Sequence, residues 1–289
     1  KAMSAKITYV LNLLHAAVLQ PDTWQKLEKC DVLLVRHDCH CGYEYQGKAY
    51  AHLIDSLADL CVKNGLLTGT VASPYSKLTG VYAYNFPVSY NKYAAIRALI
   101  RMVIRLFKNS ENSNEWLYNR ITLLWCRIFD QAKPRFVIGM QPDQSLCRAG
   151  KIKGLPVYDL QHGVIDDENF WYGEKYRIGT PPQDLPSGFL CWDEQSAAAL
   201  RKWAPQKGID VRVVGNPWFA RFLFKDPSDF LVQEASKDGK IFHNDRPTIL
   251  VSLQWGMRYY YNQKEFNGVM VDALEKVILE TADSYNWLL

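Results

Sequence analysis

Arg135-Phe136-Val137-Ile138-Gly139-Met140, Pro156-Val157-Tyr158-Asp159-Leu160, Gly188-Phe189-Leu190-Cys191-Trp192 and Val211-Arg212-Val213-Val214 are four short apolar runs. Each is followed by a polar loop, and helical patterns stand between them. A short apolar run bounded by turn signals is the mark of a strand buried on both faces. Strands alternating with helices join as right-handed βαβ units, so the rhythm predicts an α/β protein with a parallel sheet. Further towards the N-terminus, Asp31-Val32-Leu33-Leu34-Val35 is a strand of the same kind. Leu67 to Ala72 is another, ended by Ser73-Pro74. A helical pattern over 48–63 is stopped by Asn64-Gly65. A helix over 115–131 puts Trp116, Ile121, Leu124, Trp125 and Ile128 on one side, and Pro134 forbids its continuation. Residues 193–203 read as a helix as well.

Beyond these units, residues 225–246 are polar and read as a linker. A new strand is expected over 247–253, a helix over 266–282 and a strand over 285–289. The expected organisation is an N-terminal helical segment, 1–30, an α/β domain, 31–224, the linker, and the opening of a second domain, 247–289. One strand–helix–strand unit cannot bury its own faces, so the second domain is expected to be incomplete within this chain.

The 289 residues carry 34 Lys and Arg against 30 Asp and Glu, a net +4 that does not call for nucleic acid as a partner. Seven cysteines, an odd number partly inside apolar runs, suit reduced thiols of a cytoplasmic protein better than a disulfide frame. In His37-Asp38-Cys39-His40-Cys41 the thiols are one residue apart and no second pair follows, so no metal is expected. The apolar stretch 7–19 falls short of the ~20 residues of a spanning helix and fits an amphipathic one. Over 96–108, apolar residues 96, 99, 100, 103, 104 and 107 share one helical stripe, with Arg97, Arg101, Arg105 and Lys108 on the other side. Such a helix either packs its stripe on the core or lies on an anionic membrane surface.

The sequence holds no glycine-rich dinucleotide loop, no P-loop and no nucleophile elbow. Ligands of open parallel sheets bind beyond the carboxyl ends of the strands. Arg36, His37 and Asp38 stand there after the first strand, and Gln141, Pro142 and Asp143 after the strand at 135–139. Gln161, His162 and Gly163 follow the next strand, with Asp166, Asp167 and Glu168 just beyond. Gly215 and Asn216 end the fourth, and Gln254, Trp255 and Arg258 end the strand at 248–253. His162 leads the candidates. A neutral imidazole accepts a proton near neutral pH, and its cation balances phosphate charge. The bland alternative is a histidine merely hydrogen-bonded at a strand end. Gly163 is expected to let the backbone turn tightly beside it. Asp38 is the second candidate, as base or orienting carboxylate, or else as a cap. The acids 166–168 carry the same ambiguity, since adjacent acids often form a solvated loop.

Val157-Tyr158-Asp159-Leu160-Gln161-His162-Gly163-Val164-Ile165 resembles the Gln-His-Gly strand end of bacterial surface-polysaccharide glycosyltransferases with two Rossmann-like domains, the GT-B type. Phe189-Leu190-Cys191-Trp192-Asp193 and Val213-Val214-Gly215-Asn216-Pro217-Trp218 resemble the strand and the Gly-Asn-Pro turn that lead into that group's interdomain linker. The resemblance implies transfer of a sugar from a nucleotide-sugar, a co-substrate with no further cofactor, to a capsule or lipopolysaccharide O-antigen acceptor. The acceptor, a glycan or lipid-linked glycan, would lie on the first domain and the donor on the second. It implies His162 or Asp38 as base, with Gln161, Gly163, His37, Gln141, Asp166, Glu168 and Trp171 around the substrate. Gly215, Asn216, Gln254, Trp255 and Arg258 would face the donor. Trp171, Tyr172 and Trp255 are candidates for stacking on sugar rings, and the basic helix would suit peripheral contact with the inner membrane face. Related groups carry a His-Pro pair in the second domain, and this chain has none, which leaves the donor open. The same architecture serves teichoic-acid-type polyol-phosphate transferases, sugar-nucleotide 2-epimerases and non-catalytic glycan-binding modules.

Overall fold

The computed structural model describes residues 2–107, 109–237, 244–253, 266–267 and 270–289. The chain divides into two compact units, Lys1–Lys225 and Asp226–Leu289. In the first, six parallel strands run in the order β4-β1-β5-β6-β7-β8. They are β1 (Val32–Arg36), β4 (Thr68–Ala72), β5 (Phe136–Gly139), β6 (Val157–Leu160), β7 (Gly188–Cys191) and β8 (Asp210–Val213). The α/β expectation is therefore met in this unit. Between β1 and β4 lie the hairpin β2 (Tyr43–Tyr45) and β3 (Lys48–Tyr50), then α2 (His52–Lys63). The helix expected from residue 48 thus begins four residues later. Tyr43, Tyr45 and Tyr50, aromatic residues of high strand preference, flank the Gln46-Gly47 turn and favour the hairpin.

Strand residues alternate between two cores. Leu33, Val35 and Val137 face the core under α4 (Ser110–Ala132) and α5 (Gln144–Lys153). Val32, Leu34 and Ile138 face the core under α2. Both faces are covered, which is why the inner runs read as continuously apolar; β8, at the sheet edge, departs from that expectation and is largely exposed. Caps begin the helices where the sequence supplies them: Asn109 accepts from Asn112 N–H, Asp143 from Leu146 N–H and Asp193 from Ser196 N–H. In α5, Gly150 lies so close to β6 that a Cβ there would stand 2.5 Å from Val157 Cγ2. Only glycine allows that approach.

The basic helix, α3 (Asn91–Ile104), departs from expectation. Its buried side is Asn91, Ala94, Ala95 and Ala98, while Ile96 and Val103 are exposed. Ala95 and Ala98 pack with Leu13 and Ala16 of α1 (Ala2–Leu19). The small side chains let the helices approach closely, and Leu99 and Met102 pack at the edge of that contact. Arg97 lies over the Tyr93 ring and Arg101 donates to Asn114 Oδ1. Among the described residues no helix is long and apolar enough to cross a membrane.

In the second unit, α9 (Phe230–Lys237) occupies part of the expected linker. Asp229 Oδ1 accepts from Leu231 N–H at its start, and Leu231 and Val232 are buried. Strand β9 (Thr248–Leu250) pairs in parallel with β12 (Asn286–Leu288). Between them in sequence are the short hairpin β10 (Phe266–Asn267) and β11 (Met270–Val271) and then α10 (Asp272–Thr281). The expected helix therefore starts six residues late.

Candidate active site

From β1 the chain crosses to β4 on one side and then returns past β1 to β5 on the other, so the strand order reverses between β1 and β5. A crevice opens at such a reversal, beyond the carboxyl ends of the strands. Here β1 delivers His37 and β5 delivers Gln141, while the adjacent β6 delivers His162. His37 and His162 are half-buried. Burial lowers the affinity of His37 for a proton, and facing Asp143 and Asp38 hold that shift back.

His162 is bonded on both ring nitrogens. The Gln141 amide nitrogen lies 2.7 Å from Nε2, and the Tyr172 hydroxyl lies 2.6 Å from Nδ1. With the amide donating, Nε2 is the unprotonated nitrogen and Nδ1–H donates to the phenol oxygen. Burial, with His40 and His37 nearby, pushes the His162 imidazole down to about 4. His40, whose ring centroid is 5.4 Å from that of His162, is likewise pushed down to about 4 by burial and by His52 and His37. Both rings are therefore neutral near pH 7. A hydroxyl reaching His162 Nε2 takes the place of the Gln141 amide.

Gln141 is held in the left-handed region, φ +53°, which costs a non-glycine residue about 1–3 kcal/mol. Its N–H donates to Asp159 Oδ1 at 3.0 Å, an acceptor that sustains the conformation. Asp159 is 4% exposed, and burial pushes its carboxyl up to about 7, opposed by the Gln141 hydrogen bond and by Arg177. Because its folded value lies above the ordinary 3.8, the folded state binds this proton more tightly than the unfolded chain. Its contribution to stability is complete below pH 3.8 and is lost as pH rises through about 7. Asp159→Asn keeps an oxygen for the Gln141 N–H and removes the titration. The melting temperature of the variant, relative to the parent, is expected to rise between roughly pH 4 and pH 7. A constant difference across that range refutes the titration.

Other sequence candidates are placed differently. Gln161, expected at the substrate, is engaged inside the protein. It is 2% exposed, donates to Gly163 O and Ser196 Oγ, and accepts from Trp192 N–H, which spends its side chain on tying three loops together. Gly163 lies outside the left-handed region and a Cβ there would touch nothing, so sterics do not demand glycine. Asp38 accepts from Ser76 Oγ and, at 2.8 Å, from Lys77 N–H. That is the work of a loop clamp, and it leaves neither oxygen unoccupied. Asp166 caps a turn at Glu168 N–H, Glu168 pairs with Lys175 and Asp167 with Lys202, all exposed. These acids form a solvated loop. Trp171 is exposed beside Phe170, whereas Tyr172 is 2% exposed and offers His162 its hydroxyl rather than a sugar its ring. Gln254, Trp255 and Arg258 lie outside the described residues. Among the described residues no group of His, Cys, Asp or Glu is arranged to hold a metal.

Beside His40 the structure adds a cleft of which strand-end reasoning supplied only Asn216. It is open, about 360 Å3, and lined by Gly42, Tyr43, His52, Trp192, Asn216, Trp218 and Phe219. Gly215, at φ +82°, turns the chain out of β8, and Asn216 caps α8 (Pro217–Phe224). Arg221 of α8 donates to Asp59 Oδ2 at 2.8 Å and to Ser56 Oγ at 3.1 Å, which fastens that wall to α2. Beneath the hairpin, Arg36 and Asp55 form a fully buried pair at 3.1 Å. Arg36 also donates to Tyr84 O, Ala49 O and Cys41 Sγ. The signal for His52 was only a histidine at a helix start.

No family model and no curated protein matches this chain. Among solved structures it is similar to the UDP-N-acetylglucosamine 2-epimerase from Rickettsia bellii, at 12% identity and a TM-score of 0.40, over 91% of this chain and 69% of that one. A likeness of this strength assigns no activity.

Proposed function

We propose that this chain is a nucleotide-sugar-dependent glycosyltransferase whose acceptor hydroxyl gives its proton to His162. In that step the hydroxyl oxygen bonds the anomeric carbon of the donor sugar. The bond from that carbon to the nucleotide phosphate breaks, its electron pair leaves with the phosphate, and the proton passes to Nε2. The observation that carries the reading is the neutral imidazole of His162 at the carboxyl edge of the sheet, next to the strand-order reversal. The Gln-His-Gly resemblance supports it. A glycan or lipid-linked glycan is the expected acceptor, and Gly215, Gln254, Trp255 and Arg258 remain the proposed donor side, whereas Asn216, expected with them, lines the aromatic cleft.

A second reading, epimerisation at C2 of a nucleotide-sugar, is the activity in the name of the Rickettsia bellii protein and needs no acceptor. The chemistry of His162, a neutral acid–base group, suits either. Incubation with a panel of nucleotide-sugars, with and without glycan acceptors, separates them. Nucleotide release that requires the acceptor is expected. Isomerised sugar without acceptor assigns epimerisation in its place, transfer of a polyol phosphate assigns the teichoic-acid-type reaction, and glycan binding without turnover assigns a binding module.

A further inference from the structure

The wall of the aromatic cleft carries a pattern of donors, acceptors and charge that specifies an occupant. His52 Nδ1 lies 3.0 Å from His40 O. A carbonyl only accepts, so Nδ1 bears the proton and Nε2 keeps an unprotonated lone pair. Asn216 spends its side-chain oxygen on the N–H groups of Trp218 and Phe219, which leaves its amide nitrogen as a donor. The Trp192 ring also lines the wall, with its indole N–H buried and without a hydrogen-bond partner among the described residues. The wall thus offers one acceptor and one donor set among aromatic rings.

The rings form a corner rather than a slot. Trp218 is tilted 54° to Tyr43 and 72° to His52, at centroid separations of 5.9 and 6.0 Å. Phe219 is 60% exposed. The corner offers no slot to hold a flat base between two faces, whereas a sugar chair lays C–H groups on one face and hydroxyls at its rim. Among the described residues the wall includes no Lys, Arg, Asp or Glu, so a phosphate would meet no counter-charge from them. A volume of about 360 Å3 is at the small end of the roughly 300–1,000 Å3 of ligand pockets.

We propose that this cleft binds an uncharged pyranose ring of the acceptor. Its C–H face lies against Tyr43 and Phe219, one hydroxyl donates to His52 Nε2, and another accepts from Asn216. The proposal rests on the transferase reading above and names that reading's acceptor chemistry. His52 then holds the ring near His40, which adjoins His162.

The test titrates the full-length protein with methyl β-D-glucopyranoside, N-acetylglucosamine and uridine. It follows tryptophan fluorescence and saturation transfer from protein to ligand protons. At least one of the two pyranoses is expected to bind, with its C–H protons saturated most strongly. Phe219→Ala, at an exposed ring, is expected to weaken that binding about three- to tenfold. His52→Ala, which retains a good helix former, is expected to weaken it about fivefold. Failure of both pyranoses to bind, binding of uridine in their place, or unchanged binding in both variants overturns the proposal. Pyranose binding lost in these variants, in a protein that turns over no nucleotide-sugar, keeps the cleft and rejects the transferase reading. Turnover unchanged by both variants, with unchanged binding, rejects the cleft alone.

Discussion

His162→Gln is expected to lower turnover by about 10²–10⁴-fold, the usual contribution of a positioned acid–base group, with little change in melting temperature. Glutamine keeps a polar partner for Tyr172 and Gln141 but cannot take up a proton. His162→Ala is expected to lose the same activity and some stability besides, because the buried Tyr172 hydroxyl loses its partner. Leaving a buried polar group unsatisfied costs about 1–3 kcal/mol. The pH profile separates this role from a structural one. With the folded imidazole near 4, the base is deprotonated throughout the neutral range. The acid limb of kcat/KM is therefore expected near pH 4 and not near the ordinary 6.5. Activity of His162→Gln within a few-fold of the parent removes His162 from the chemistry.

The same imidazole links acidity to stability. Its folded value is depressed, so the folded state binds this proton less tightly than the unfolded chain. Its contribution is complete above 6.5 and is lost as pH falls towards about 4. His40 shifts in the same sense, and Asp159 shifts in the opposite one.

The largest loss of stability is expected at the buried pair under the hairpin. Asp55→Ala leaves the Arg36 guanidinium without a counter-charge at a site where both side chains have no solvent exposure. It also orphans the Ala51 N–H and the Asn85 amide, which donate to Asp55 at 2.7 and 3.2 Å. Removing one partner of a buried pair costs about 3–5 kcal/mol. A domain of this size is stable by only about 5–15 kcal/mol, so the variant is expected to lose a large share of its folding free energy. Urea denaturation of the variant and the parent measures this, and a loss under about 1 kcal/mol contradicts the burial of the pair. Replacement of Arg36 and Asp55 together by apolar residues is expected to cost less than the sum of the single changes, since no charge is then stranded. Part of the cost remains, because Arg36 also donates to the carbonyls of Ala49 and Tyr84.

Much of the sheet was legible because its strands are buried on both faces, which writes them as unbroken apolar runs. The runs at 32–35, 136–139, 157–160 and 188–191 needed no partner to be recognised. The hairpin 43–50 was not read, because it is a half-exposed ribbon without such a run. For α3 the periodicity identified a helix and the tertiary packing chose a different face. Whether alanines or larger residues are buried depends on how closely α1 approaches, and helical period says nothing of that distance.

At the candidate site, position along the chain identified His162, His37 and Gln141 as residues at strand ends. It said nothing of which polar side chains are already engaged. Gln161 and Asp38 carry the same chemistry as substrate ligands do, yet each is consumed by contacts with segments 31–39 residues away. Asp159 hid inside an apolar strand, and only its place beside Gln141 gives it meaning.

The amino-acid sequence by itself determined the α/β class, the strand positions and the presence of an imidazole at the end of β6, since each depends on local pattern alone. The tertiary structure decided which groups are neutral, which are spent and which meet around the cleft. Burial and the pairing of distant residues control proton affinity and hydrogen bonding, and neither is a local property of the chain.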